Sequence, residues 1–98
     1  MKGSGLLNLR FDKGNGALFE VESLGQRVRC FLPQASTFLA RKAGSARTFP
    51  DLIERYERLV AVAALVNIAR VGVNPDQWGN CVEDQDLDVA QASFQGAI

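Results

Sequence analysis

The first third of the chain alternates apolar and polar residues, which is the pattern of half-buried β-strands. "LLNLRF" at 6–11, "ALFEVE" at 17–22 and "RVRCFL" at 27–32 each place apolar side chains at every second position. The "GNG" at 14–16 separates the first two segments and is strong turn chemistry. Pro33 ends the third segment because proline cannot donate to a ladder. The pattern therefore predicts three consecutive strands.

One hairpin register satisfies both faces of the second and third strands when residues 23–26 form the loop. Opposite charges that face each other across strands contribute about 0.2–1 kcal/mol per pair. We therefore predict that the two arginines pair with glutamates on the solvent side, the alternative being contacts with nucleic acid. The predicted pairs are Glu22 with Arg27, Glu20 with Arg29, Leu18 with Phe31, Val21 with Val28, Phe19 with Cys30 and Ala17 with Leu32.

Two helical segments follow the predicted hairpin. "QASTFLARKA" at 34–43 has apolar residues at helical spacing and predicts a short helix. A longer helix is expected to begin at Thr48, a capping residue followed by Pro50 in the first turn, and to end at Gly72. Its predicted core face is Ile53, Tyr56, Val60, Ala63, Ala64 and Asn67 or Ile68.

These elements predict a single α+β domain, and 98 residues are enough for one domain with its own core. The expected architecture is an antiparallel sheet of about four strands, in the order β-β-β-α-α-β, packed with two helices of which the second is long. "WGNCVE" at 78–83 supplies the last strand. We place the domain at residues 1–88 and expect the polar, weakly patterned residues 89–98 to form a flexible C-terminal tail.

The sharpest feature of the sequence lies inside the long helix, where residues 59–66 are apolar without interruption. Such a helix needs cover on every side, whereas a two-layer domain covers one side with its sheet. Each large apolar side chain left in water forfeits about 1.5–3 kcal/mol. We expect a homodimer through this helix, with the first helix, the C-terminal tail or a different protein as alternative covers. The candidate interface is Leu59, Val62, Leu65 and Val66.

Overall charge argues against a protein held on nucleic acid mainly by its field, because the formal net charge is +0. The charges are unevenly spread, however: residues 24–49 carry bases and no acids, and residues 76–88 carry acids and no bases. Either the two regions lie near each other or solvate the surface, or the bases form a docking patch. The candidate patch is Arg27, Arg29, Arg41, Lys42 and Arg47.

Few groups are available for catalysis or metal binding. The chain has no histidine, which removes the usual general base, and its only cysteines, Cys30 and Cys81, do not make a zinc site. "DQDLD" at 84–88 resembles the start of a calcium loop but lacks the glycine at the sixth position, and Gln95 stands where the twelfth-position glutamate belongs. We therefore expect no catalytic residue, no cofactor and no metal, and we interpret Cys30 as a small core residue.

The sequence also favours a cytoplasmic location. No stretch approaches the ~20 apolar residues that are needed to cross a bilayer. The start, "MKGSGLLNLRF", lacks the continuous apolar region and the cleavage site of a secretory signal. Because the cytoplasm is reducing, we do not expect a disulfide between the two cysteines.

Four features in a fixed order carry a family resemblance. They are the hairpin "ALFEVESLGQRVRCFL" with a cysteine in its second strand, the short helix after it, the helix opening "DLIERYERLVAVAALV" and the strand "WGNCVE". On these features, residues 17–83 resemble a small family of uncharacterised bacterial proteins, domain of unknown function 1488. The resemblance implies a β-β-β-α-α-β domain and supplies no catalytic residue or ligand. The chain departs from the family at "LVAVAALV", where members usually keep acidic residues.

The sequence thus predicts a small non-catalytic interaction or accessory protein that acts as a homodimer. The alternative is a nucleic-acid-associated accessory or regulatory domain that uses the candidate basic patch. An enzyme is the third hypothesis, and the residues give it no convergent reactive groups.

Overall fold

The structure, a computed structural model, describes residues 6–12, 15–34, 41, 48–75 and 78–96, with the side chains of 94–96 excluded. Four strands form one sheet in the order β1-β2-β3-β4, and three helices are present among the described residues. The predicted α+β class is confirmed. The elements are β1 (Leu7–Asp12), β2 (Gly16–Ser23), β3 (Gln26–Pro33), α1 (Phe49–Arg55), α2 (Glu57–Val71), β4 (Asn80–Cys81) and α3 (Asp84–Gly96).

The β2–β3 hairpin has the predicted register at every pair from Ala17↔Leu32 to Glu22↔Arg27. Ser23 also pairs with Gln26, so the loop is the two-residue turn Leu24–Gly25 and is shorter than the predicted one. Alternation along both strands sends one set of side chains toward the helices and the other set away from them. We call the second side the outer face of the sheet.

The fourth strand differs from the prediction in direction and length. β4 runs parallel to β3, with Cys30 opposite Asn80 and Phe31 opposite Cys81, so the sheet is mixed and not wholly antiparallel. A helical connection between β3 and β4 allows this, because a parallel neighbour requires a long crossover. Gly79 has a φ of 74°, and a Cβ at this residue would collide with the backbone oxygen of Arg29. Only glycine therefore lets the chain approach β3 this closely.

The predicted long helix is two helices, because Tyr56 (φ −110°, ψ 27°) separates α1 from α2. Its predicted ends are confirmed. The Thr48 hydroxyl accepts a hydrogen bond from the Asp51 N–H at 3.2 Å, and Gly72, with a φ of 81°, donates its N–H to the Ile68 oxygen at 2.8 Å. The predicted first helix lies outside the described residues except for Arg41, which is helical.

The C-terminal segment also differs from the prediction, because Asp84–Gly96 forms α3 where a tail was expected from residue 89. α3 packs along α2. Its buried residues, Asp86, Leu87 and Ala90, recur at helical spacing and form one narrow side of the helix. Only two of the three are apolar, so the sequence shows little hydrophobic periodicity here.

The core lies between the inner face of the sheet and the helices. Ala17, Phe19 and Val21 of β2 face it together with Val28, Cys30 and Leu32 of β3, as the predicted register requires. The predicted helical core face is also found there, with Tyr56 and Ile68 half-buried at its edge. The helical residues of the core are Leu52, Ile53, Leu59, Val60, Ala61, Ala63, Ala64, Leu87 and Ala90.

Candidate interaction surfaces

The four residues of the candidate interface differ in exposure. Leu59 is 7% exposed and belongs to the core, so it cannot contribute to a contact with another molecule. Leu65 is 40% exposed, and Val62 and Val66 are half-buried. Leu59 lies about two helical turns before Asn67 and about three turns before Arg70, on the side of α2 that α3 contacts. The C-terminal segment thus covers part of the helix, which was one of the alternatives.

A narrow strip of α2 remains in contact with solvent. Arg58, Leu65 and Ala69 are exposed, and Val62 lies between them. These residues follow one another at steps of four, three and four, which keeps them on one side of the helix. We call Arg58, Val62, Leu65 and Ala69 the α2 seam.

A buried polar cluster joins α2, β4 and α3 around Asp86, whose side chain is fully buried. Arg70 donates to both carboxylate oxygens of Asp86, from Nε at 3.1 Å and from Nη2 at 3.1 Å. Asn67 Nδ2 donates to the same carboxylate at 2.8 Å, and the Glu83 backbone N–H donates to it at 2.9 Å. The last bond caps the N-terminus of α3 with a side chain from its own first turn, where the helix dipole also favours negative charge.

Asn80 extends this cluster to the end of α2. Its Nδ2 donates to Asn67 Oδ1 at 2.8 Å and to the Gly72 oxygen at 2.7 Å, and its Oδ1 accepts from the Asn74 N–H at 2.9 Å. Asn67 also donates to the Cys81 oxygen at 3.0 Å. Every buried side-chain nitrogen and oxygen in the described part of the chain has a partner. The cluster therefore holds elements together and leaves no buried polar atom for a ligand.

The electrostatics of Asp86 and Arg70 follow from this geometry. Burial acts to raise the pKa of Asp86, but the hydrogen bonds from Arg70, the Glu83 backbone and Asn67 outweigh it, so this pKa lies below its ordinary value. The hydrogen bond to Asp86 raises the pKa of Arg70 above its already high value. Both groups are charged at neutral pH. Sequence reasoning missed the pair because Asp86 stands in an acidic run that has the pattern of a solvated surface.

The candidate basic patch is not brought together as a unit by the described residues. Arg27 and Arg29 lie on the outer face of the sheet, and Arg27 Nη1 is 4.0 Å from Glu20 Oε1, which makes a diagonal pair in place of the predicted pair with Glu22. Arg41 Nη2 is 3.9 Å from Asp88 Oδ1, so a member of the basic region meets the acidic region. Lys42 and Arg47 lie outside the described residues.

The outer face carries a cavity of about 330 Å³ beside the same glutamate. Asn8, Arg10, Leu18, Glu20 and Arg29 line it. A β-bulge lies between Leu7 and Arg10, where Asn8 adopts a φ of 52° and donates from Nδ2 to Glu20 Oε1 at 3.0 Å. This cavity could not be predicted from the sequence, because the bulge that aims Asn8 at Glu20 breaks the simple alternation of β1.

The two cysteines are free and lie on neighbouring strands. Cys30 is buried on the inner face, as predicted, and burial raises the pKa of its thiol to about 12. Cys81 pairs with Phe31, is exposed, and therefore lies on the outer face. Two side chains on opposite faces of a sheet do not have the geometry of a disulfide.

No protein-family model matches this chain, and neither a curated protein nor a solved structure matches it. The resemblance to domain of unknown function 1488 therefore stays a prediction. Among the described residues, no helix is both long enough and apolar enough to cross a membrane. In the same part of the chain, no three histidine, cysteine or acidic side chains are grouped so that they could hold a metal ion.

Proposed function

We propose that this protein is a non-catalytic interaction domain that pairs with a second copy of itself through the α2 seam. The observation that carries the proposal is Leu65, which is 40% exposed in the middle of α2. The other large apolar residues of this helix are buried or half-buried, except Val71 at its C-terminal end. Val62 and Ala69 flank it on the same side. Burial of this strip against another helix removes apolar surface from water, which favours association.

The spacing of the seam fits a paired helix. Steps of four, three and four are the spacing of the apolar seam in a two-helix coiled coil. In an antiparallel two-fold pair centred between Val62 and Leu65, Val62 faces the partner's Leu65, and Arg58 faces the partner's Ala69. The aliphatic part of an arginine can cover a small residue while its guanidinium stays in water.

The size of the seam predicts a weak dimer. α2 has 15 residues, and the seam spans about three of its turns, or roughly 17 Å. A single-helix contact of this length buries less than the ~800 Å² per partner that is typical of stable complexes. We therefore expect dissociation in the micromolar range or weaker, with a mass that rises with concentration.

Sedimentation equilibrium across a wide concentration range tests the proposal. The native chain should move from monomer to dimer, and Leu65→Glu should remain monomeric because a charge at the centre of an apolar contact is costly. Val89→Glu is the matched control, because Val89 is 53% exposed on α3 and lies outside the seam. It should dimerise like the native chain.

Two outcomes would overturn the proposal. One is a native chain that stays monomeric at millimolar concentration. The other is a dimer that Leu65→Glu leaves intact, which would place the contact on another surface. Circular dichroism of each variant shows whether the fold has survived the substitution.

A further inference from the structure

The cavity on the outer face of the sheet has the size of a small-ligand site. Its volume of about 330 Å³ falls within the range of about 300–1,000 Å³ that such sites occupy. It lies on the side of the sheet opposite the core, away from the α2 seam. Its lining is mixed, with two guanidinium groups, an amide and a carboxylate around Leu18.

Basic side chains outnumber acidic ones among the described residues that line this cavity. Arg10 and Arg29 line it, and Glu20 is the one acid in that described lining. Glu20 Oε1 already accepts a hydrogen bond from Asn8 Nδ2 at 3.0 Å and lies 4.0 Å from Arg27 Nη1. These two neighbours partly neutralise the negative charge of Glu20. Arg10 is exposed, and its side chain has no hydrogen bond or ion pair to another described residue. An anion that enters the cavity thus meets an arginine whose donors are available.

The strand register places an apolar surface beside these cations. Leu18 lies opposite Arg10 on β1 and opposite Phe31 on β3, and both Leu18 and Phe31 are half-buried. The ring of Phe31 meets Trp78 edge to face, with 5.2 Å between centroids. A ligand with an anionic group at Arg10 and an apolar ring at Leu18 would be complementary both to the cation and to the apolar surface beside it.

We propose that the outer-face cavity binds a small organic anion, with its carboxylate or phosphate group at Arg10 and Arg29 and its apolar body on Leu18. Guanidinium groups suit this role because their planar N–H donors bind carboxylate and phosphate oxygens in pairs. The bulge that holds Asn8 at the rim fits the same interpretation, because bulges often re-aim a side chain beside a site.

Nuclear magnetic resonance titration of the full chain can test each part of the proposed ligand. Phenyl phosphate has both the anionic head group and the apolar ring of the proposed ligand. Inorganic phosphate has only the anionic head group, and phenol has only the ring. Benzoate has the ring with a carboxylate in place of the phosphate. The signals to follow are the side-chain Nε–H of Arg10 and Arg29 and the backbone amides of Leu18 and Glu20. Phenyl phosphate or benzoate should shift them saturably, inorganic phosphate should bind more weakly, and phenol should have no effect. Whichever of the two anions binds more tightly identifies the head group.

Three variants make the test specific. Arg10→Gln should weaken binding about tenfold or more, since it removes a charge-assisted hydrogen bond. Glu20→Gln should strengthen binding, because it removes the one acid among the described lining residues while keeping an acceptor for Asn8. Arg55→Gln, an exposed arginine on α1, should leave binding unchanged.

Absence of a saturable shift with both phenyl phosphate and benzoate would overturn the proposal. Equal loss of binding in Arg10→Gln and Arg55→Gln would also overturn it, because that result means general electrostatic attraction. An eight-nucleotide deoxythymidine strand that shifts the same signals far more tightly, with affinity falling steeply with salt, would assign the face to nucleic acid instead. The variant Leu65→Glu should bind the anion normally, which separates this proposal from that of the dimer.

Discussion

Leu24 occupies a turn position that suits a different residue. Its φ is 51° and that of Gly25 is 83°, so both central residues of the β2–β3 turn lie in the left-handed region. Hairpin turns of this kind favour Asn followed by Gly, because a side chain as large as leucine is strained there. Leu24 is fully exposed, so no packing offsets the strain.

We predict that Leu24→Asn stabilises the protein by about 0.5–1 kcal/mol, since asparagine tolerates the left-handed region better. Urea unfolding followed by circular dichroism measures the change. Leu24→Ala is the control, because alanine keeps a Cβ and should give little of this gain. Equal stabilisation by the two substitutions would mean that loss of the exposed apolar side chain is the cause, and that backbone strain is not.

At the scale of elements, Asp86 joins two helices through hydrogen bonds whose geometry is directional, unlike that of apolar contacts. Its carboxylate joins α3 to α2 through Asn67 and Arg70, and it caps α3 through the Glu83 N–H. If the carboxylate were removed, each of these donors would lack an acceptor or would need a water molecule. A buried donor without an acceptor destabilises the fold by more than one hydrogen bond stabilises it. The cluster thus specifies where α3 lies along α2.

We predict that Asp86→Asn lowers the free energy of unfolding at pH 7 by about 1–3 kcal/mol. Asp88→Asn on the same helix is the control. Its ion pair with Arg41 is exposed, so its loss should change stability by no more than about 0.5 kcal/mol. If the two variants are equally stable, the buried cluster does not hold α3.

The same substitution should change the acid sensitivity of the fold. The pKa of Asp86 is lower in the folded protein than in the unfolded chain, where an aspartate titrates near about 3.9. Its contribution is therefore complete above about pH 5 and is lost as the pH falls through the folded value. Unfolding curves should show a steeper loss of stability below pH 5 in the native chain than in Asp86→Asn. Parallel loss in both would contradict this assignment.

At the scale of the whole molecule, the sheet separates two thiols that are neighbours in space. Cys30 is in the core, and its pKa is raised to about 12 by burial. Cys81 also has a raised pKa, chiefly from burial and further from Glu83 and Asp86, but the residue is exposed. Because thiolates are the reactive form and must reach the reagent, burial makes Cys30 unreactive, while exposure leaves Cys81 accessible.

We predict that iodoacetamide at pH 8 alkylates Cys81 in the native protein, while Cys30 reacts only as the molecule unfolds. Mass spectrometry of peptides over time measures both rates, and the variant Cys81→Ser isolates the slow site. Sub-denaturing urea should increase the alkylation rate of Cys30 in proportion to the population of globally unfolded molecules. Similar rates for the two cysteines without urea would show that the β3–β4 contact opens locally.

Sequence alone determined the hairpin, because the evidence for it is local and redundant. Residues 17–32 carry apolar alternation on one face and paired opposite charges on the other, and a shift of one residue would reverse both. The caps at Thr48 and Gly72 could be predicted for the same reason, since each depends on residues within one turn. The core stripe of the long helical segment also follows from local periodicity.

Only the tertiary structure decided the direction of β4, the packing of α3 and the cover over Leu59. Each depends on which distant segments meet: β4 returns beside β3 after the helical connection, and α3 is held by a buried carboxylate that the sequence places in an acidic run. Alternation and helical spacing specify which side of an element is apolar, but they do not specify what lies against it. That choice follows from the packing of the whole chain, and here it leaves Leu65 exposed while it buries Leu59.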